Sequence, residues 1–338
     1  MKTDVHESLE AVGSAAWEAV HADSALRSPF LSWIWQREWL AVFGEGCRLE
    51  LRTVTDDAGR LLAVLPLVEI APGRLMLAGG ADVSDYLDLL ARRGHEAEAW
   101  SALLEARAAE RATWELHSVP GASPTVSALP GLAAAVGLAA TAEVEERCPV
   151  LALPETWDAF LAALPKKHRH ELTRKLRRFE REIPDGRIVW ETTPAGLERR
   201  LDDFFALHRA SREGKAKFMD ARMERFFRRA IVALAAAGGA RLALLERPDG
   251  PMAAFVTLEW DSTVGLYNSG FAPAHAALSP GLVLLAHVVR DALERGCRRF
   301  DFLRGEERYK YEFGPVAEPV HLVTIGAGGH FGAPHVQT

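Results

Sequence analysis

The chain has 338 residues, 49% of them hydrophobic and 25% charged, and a formal net charge of −6. That length and balance suit a globular protein of about two domains with a full core. They argue against a fibrous or disordered chain and against one that coats DNA. Three dispersed cysteines, Cys47, Cys148 and Cys297, form no C-x-x-C pair. They suit a reducing compartment and speak against a disulfide framework or a zinc site. The first twenty residues carry acids and no continuous apolar run, so no signal peptide is expected. No apolar run reaches the roughly 18 residues of a membrane span, so the expected location is cytoplasmic.

In chain order, residues 1–27 read as a helix with a loosely held start. The segment PFLSWIWQREWLAVF (29–43) spaces its aromatics for an apolar helix face, which is core packing before it is a stacking site. Two strand-like runs, 48–55 and 61–70, flank the turn Asp56-Asp57-Ala58-Gly59, and Pro66 marks an irregularity or an edge. A strand at 74–78, a glycine-rich loop at 79–86, a helix at 95–109 and a strand at 113–119 follow. An alanine-rich helix then leads to a strand at 144–153 and a short helix at 157–164. KKHRHELTRKLRRFEREI (166–183) puts Leu172, Leu176, Phe179 and Ile183 on one stripe and basic residues on another.

The pattern then restarts. Strand 187–192, helix 194–211, a basic loop at 212–218, helix 220–237 and strands at 241–246, 252–261 and 263–271 lead to Ser279-Pro280-Gly281. There a helix is expected to start, with the serine as its cap. It ends at Gly296, and the strand 299–303 runs into the charged segment RGEERYK (304–310). A last strand spans 319–325. The repeated order predicts a duplicated α/β protein: residues 1–160, a basic helical connector 161–186, a second domain 187–326 and a flexible tail 327–338.

Several groups in this layout can carry chemistry. A glycine at a helix start lets a phosphate approach free N–H groups, which makes Ser279, Pro280, Gly281 and Leu282 an anion-site candidate. Asp301 and Glu307 stand near a strand end, where either can accept a proton; Tyr309 or Tyr267 can return one, and Lys310 can pair with an acid. Asp85 and Tyr86 sit in the glycine-rich loop, His208 lies on or beside an apolar helix face near Ser211, and Lys166 and Arg169 open the basic helix. His168 and His170 are embedded in cations, and no metal-ligand spacing occurs, so no metal is expected.

The stretches LHRASREGKAKF (207–218), YNSGFAPAHAALSPGLVLLAHVVRDALERG (267–296) and FDFLRGEERYKYEFG (300–314) resemble the CelD-type acyltransferases of the GNAT superfamily, relatives of the Fem peptidoglycan transferases. GGADVSDYLDLL (79–90) and LPKKHRHELTRKLRR (164–178) resemble that family's first-half loop and connector. The resemblance implies an α/β (α+β) architecture of tandem GNAT-like domains, each a mixed central sheet flanked by helices. It implies an acyl-CoA co-substrate, acetyl-CoA or longer, whose acyl group passes to an amine or hydroxyl of a small molecule or of an envelope or polysaccharide precursor. In that picture the strand carrying Ser269 and Gly270 polarises the donor carbonyl, residues 279–282 hold its pyrophosphate, and Asp301 or Glu307 assists deprotonation. Tyr309 protonates the thiolate, Lys310 and Arg304 orient the carboxylates or the acceptor, and Asp85, Tyr86, His208, Ser211, Tyr267, Lys166 and Arg169 face the substrates. The fuller R/Q-x-x-G-x-G/A signature is replaced by Ala276-Ala277-Leu278-Ser279-Pro280-Gly281, where Gly281 alone matches. Two other readings stay open: a Fem-like aminoacyl-tRNA-dependent transferase, and a non-catalytic polysaccharide-assembly protein.

Overall fold

The computed structural model describes residues 1–327, and the chain divides into two compact units. The first holds 1–146 and, among the described residues, 319–327; the second holds 147–318.

The first unit opens with a strand, β1 (Lys2–His6), rather than the expected helix. It pairs antiparallel along the free edge of β2 (Arg48–Thr55), from Lys2 opposite Thr55 to His6 opposite Leu51. A neighbouring edge 45–53 residues away in sequence outweighs local helix propensity here. Helix α1 (Ser14–Ala22) follows, then α2 (Trp33–Phe43). The Ser32 hydroxyl accepts the Trp35 N–H at 3.2 Å and sets the start of α2. Core packing is seen here, as expected: Phe30, just before α2, and Trp35 within it are fully buried and meet edge to face at 4.9 Å.

Strand β3 (Leu61–Ala71) pairs antiparallel with β2. On its other edge it pairs first with β5 (Leu90–Ala91) and then with β4 (Arg74–Leu77). Pro66, which has no N–H to give, stands where that edge changes partner, between Val64 and Leu67. Helix α3 (Glu96–Arg107), strand β6 (Thr113–Pro120), the short helices α4 (Pro124–Ser127) and α5 (Leu129–Ala135), and strand β7 (Leu138–Ala152) complete this stretch. Residues 138–146 of β7 belong to the first unit and 147–152 to the second.

In the second unit, α6 (Trp157–Ala163) and α7 (Lys166–Glu182) precede β8 (Arg187–Glu191). The basic helix α7 is part of this unit's core: Leu172 and Phe179 are buried, with Leu176 and Ile183 packed beside them. The stretch 161–186, expected as a connector, falls within the second unit. Helices α8 (Pro194–Ser211), α9 (Glu213–Phe218) and α10 (Ala221–Ala236) come next, so the segment read as a basic loop is in fact a helix. Strands β9 (Ala240–Arg247), β10 (Gly250–Trp260) and β11 (Thr263–Phe271) form an antiparallel meander. Helix α11 (Pro280–Glu294), strand β12 (Arg299–Asp301) and the short helix α12 (Arg308–Tyr311) follow. The sheet order is β7-β12-β11-β10-β9-β8, with β11 and β12 parallel and β12 and β7 antiparallel.

Alternate residues of this sheet face opposite layers. Ala243, Leu245, Phe255, Val264 and Leu266 share one core with Val283, Leu284 and Val288 of α11 and with the buried residues of α6 and α7. Helices α8 and α10 pack on each other and on β9, β10 and β11, with Phe204, Phe205, Phe226 and Phe227 buried. Strand β13 (Val316–Ala327), from residue 319 on, closes the first unit, whose order is β1-β2-β3-β4-β6-β13-β7. β13 takes in Gly326 and Ala327, longer than the expected strand; the rest of the expected tail, 328–338, lies outside the described residues.

One glycine sets the distance between α8 and β11. A Cβ on Gly270 would stand 2.4 Å from the His208 backbone nitrogen and 2.6 Å from the Leu207 carbonyl carbon. At Gly281 the nearest atom to such a Cβ is Phe271 Cδ1 at 3.9 Å. Gly270→Ala is therefore expected to lower the urea-unfolding free energy by about 1–3 kcal/mol, whereas Gly281→Ala leaves it within about 0.5 kcal/mol.

Candidate active site

The site in the second unit begins where two parallel strands part. Thr263, Val264 and Gly265 of β11 pair with Arg299, Phe300 and Asp301 of β12, and the pairing stops there. Tyr267 is an extra residue in β11: Asn268 is opposite Val256 and Leu266 opposite Thr257, so the register to β10 shifts across it. Bulges of this kind re-aim side chains beside functional sites. Beyond the bulge the Ala272 N–H turns toward β10 and bonds Met252 O at 2.8 Å. By alternation, Ser269 and Phe271 present their backbone groups to the edge that β12 has left.

Those groups are met by side chains. The Phe271 N–H donates to Ser211 Oγ at 2.8 Å, and the Ser269 N–H donates to Asn268 Oδ1 at 3.0 Å. The Lys215 ammonium donates to the Ser269 carbonyl and, at 3.2 Å, to Ser269 Oγ. Tyr309 hydrogen-bonds the Ser269 side chain. His208, 1% exposed, hydrogen-bonds the Asn268 side chain, while its Nδ1 has no partner among the described residues. Thus β11, the α8–α9 corner and α12 bring His208, Ser211, Lys215, Asn268, Ser269 and Tyr309 into one polar network.

The charge states follow from this packing. Burial pushes the His208 imidazolium down to about 4; Lys215 reinforces the shift and Asn268 opposes it, so the ring is neutral near pH 7. Burial likewise brings the Lys215 ammonium down to about 8, helped by the positive charges of Arg212 and Lys310 and opposed by Glu307. Burial raises Tyr309 above the usual phenol range, and the Glu307 charge adds to it. Glu307 is raised by burial, but the charge and hydrogen bond of Lys310 and the charge of Arg212 bring it below the ordinary carboxylate value overall.

The strand-end turn has its own framework. Asp301, 2% exposed, accepts the Leu303 N–H at 2.8 Å, which holds Leu303 at φ 55°. Lys310, 3% exposed, donates to the carbonyls of Arg304 at 2.8 Å and Gly305 at 2.9 Å and pairs with Glu307 at 2.9 Å. The direct bonds of Lys310 and Asp301 thus shape the turn that presents Glu307 and Tyr309. Tyr267 stacks on Phe227 at 5.2 Å.

The start of α11 differs from a capped helix. Ser279 is left-handed, φ 53°, and its hydroxyl makes no cap bond. Its carbonyl takes both the Leu282 and the Val283 N–H at 3.0 Å, and Pro280 has none, so the Gly281 N–H is the donor left at this end. Helix α7 lies against the turn before it: Arg178 Nη1 donates to Ala277 O at 3.1 Å. Lys166 and Arg169 are on the first turns of α7, where no ion pair engages either among the described residues. Asp85 and Tyr86 are buried in the first unit, Tyr86 6.4 Å from the Phe30 ring. That loop is pinned by Ser84, whose hydroxyl accepts Trp35 Nε1–H at 2.8 Å and donates to Gly79 O at 2.7 Å.

Sequence reasoning singled out His208, Ser211, Ser269, Glu307 and Tyr309 but missed Asn268 and Lys215. Lys215 is seven residues beyond His208, a helical repeat that the break at Arg212 disguises. Among the described residues no cluster of three or more His, Cys, Asp or Glu could hold a metal, and no helix is long and apolar enough to cross a membrane.

This geometry has counterparts. Residues 166–311 match the family described as the acetyltransferase (GNAT) domain, and that stretch has a GNAT-type fold. FemX superposes with a TM-score of 0.66 at 12% identity, covering 96% of this chain and 97% of that one. The C-terminal domain of a lysylphosphatidylglycerol synthetase from Agrobacterium fabrum gives 0.62 at 13% identity over 93% and 92%. L-PGS from Bacillus licheniformis gives 0.55 at 12% identity over 81% and 83%. At such identities the likeness is one of fold. No curated protein matches the sequence.

Two outcomes follow for stability. His208 binds its proton more weakly folded than unfolded, so its contribution is full above about pH 6.5 and is lost as the pH falls toward about 4. The urea midpoint should therefore fall over that window more steeply for the wild type than for His208→Gln. Lys310→Met, which orphans buried carbonyls and an ion-pair partner, should cost about 2–5 kcal/mol in the same assay.

Proposed function

We propose that the second unit transfers an acyl group from acyl-CoA to an amine or hydroxyl of a small molecule or of an envelope or polysaccharide precursor. The observation that carries this reading is the parting of β11 from β12 at a bulge, with a polar network at its mouth. A thioester lying along the vacated edge of β11 meets donors at 269 and 271 once Asn268 or Ser211 yields its bond, and such donors stabilise a developing oxyanion. The Gly281 N–H, the space in front of Gly281 and the adjoining basic face of α7 support a phosphate-bearing donor. The Tyr309–Ser269 pair, which keeps its protons at neutral pH, suits protonation of the departing thiolate. The nearer kinship to CelD-type enzymes belongs to the same proposal, resting on 279–310.

One observation favours a second donor. Lys166, Lys167, Arg169 and Arg177 on α7 make no ion pair among the described residues, which suits the phosphates of an aminoacyl-tRNA.

Thermal-shift titration with acetyl-CoA, longer acyl-CoAs, free CoA and aminoacyl-tRNA tests both. A CoA ester at about 100 times its Kd should add about 2.7 kcal/mol to stability and raise Tm by several degrees. Stabilisation by charged tRNA alone, weakening steeply with salt, would replace the first reading with the second. With the acyl donor identified, Tyr309→Phe should lower kcat by about 10²-fold or more while leaving donor KM nearly unchanged.

A further inference from the structure

We infer that Lys215 is the catalytic base of the second unit: its side-chain amine takes the proton from the attacking nucleophile and passes it, by way of Ser269 and Tyr309, to the leaving group. This rests on the acyl-transfer reading above.

The carboxylates at the strand end are poorly placed for that task. Asp301 is almost wholly buried and holds the Leu303 N–H. Glu307 is ion-paired to Lys310 at 2.9 Å, and its proton affinity is below that of an ordinary carboxylate. His208 is too weak a base at neutral pH. Lys215 lies on the vacated edge of β11, where its Nζ bonds both the carbonyl and the hydroxyl of Ser269. A neutral primary amine has two N–H donors and one lone pair. With both donors on Ser269, the lone pair remains for an incoming proton. The hydroxyls of Ser269 and Tyr309 continue the path from there.

Burial, with the charged groups around the amine adjusting it, poises Lys215 near neutrality. Arg212 in its own segment and Lys310 from α12 disfavour the ammonium, Glu307 favours it, and His208 from α8 is uncharged. The resulting value of about 8 lies close to working pH, where a base is most effective.

The step balances without another reactant. The acceptor nitrogen or oxygen forms a bond to the acyl carbon, and the bond from that carbon to the donor sulfur or oxygen breaks. The proton lost by the acceptor goes to Lys215 Nζ and ends on the departing atom, leaving the enzyme unchanged.

The test is the pH dependence of kcat in wild type, Lys215→Met, Lys215→Arg and Lys215→Ala, with folding checked by the urea midpoint. The wild type should lose rate on the acid side of about pH 8, and Met and Arg should each lower kcat about 10²–10⁴-fold with that limb gone. Methylamine added to Lys215→Ala should restore rate in proportion to its concentration. A Lys215→Arg enzyme within about threefold of wild type, or an unchanged acid limb in Lys215→Met, would overturn the role and reduce Lys215 to a hydrogen-bonding strut. A wild type that transfers from no donor is a different result: it overturns the acyl-transfer reading itself, and the assigned role with it.

Discussion

A strand that loses its neighbour halfway along must still satisfy its backbone. In the second unit this happens to β11, whose parallel partner stops at Asp301 while β11 continues to Phe271. Much else is arranged around that edge. The Tyr267 bulge re-aims the strand. Gly270 admits the α8 backbone. Ser211 and Lys215 then reach the Phe271 and Ser269 groups that β12 leaves unmet. These contacts are polar and individually modest, so a ligand with equivalent groups can exchange with them. An edge closed by side chains and open to such exchange is well suited to a transient acyl group.

The turn after β12 is held more firmly. Leu303 and Gly305 both have positive φ, and for a leucine that conformation carries a steric cost. The Asp301 carboxylate and the Lys310 ammonium offset it by bonding to the turn from two sides. A rigid turn and an exchangeable edge thus face each other across the site, and Glu307 and Tyr309 project from the rigid side.

Much of the fold was legible from periodicity. Apart from α9, the elements from α6 to α11 follow their apolar stripes within a few residues, because each buries one face in the core. The misses share a cause. β1 is a strand because β2 offers a free edge, and α9 is a helix although its short sequence reads as a solvated loop. Ser279 looks like a cap but takes a left-handed conformation in which its carbonyl, not its hydroxyl, serves the helix. Lys310 and Asp301 look reactive by residue type, and both also bond into the turn after β12.

Residue order by itself determined the alternation of helices and strands, the basic and apolar faces of α7, the start of α11 at Pro280, and the gathering of ionisable groups after β12. Those properties depend on neighbours within a turn or two of the chain. Tertiary structure alone decided which of these groups meet. It set Lys215 on Ser269 across 54 residues and withdrew Asp301 and Lys310 into the turn. The reason is physical: proton affinity depends on burial and on charges brought close through space, and neither is written in the spacing of residues along the chain.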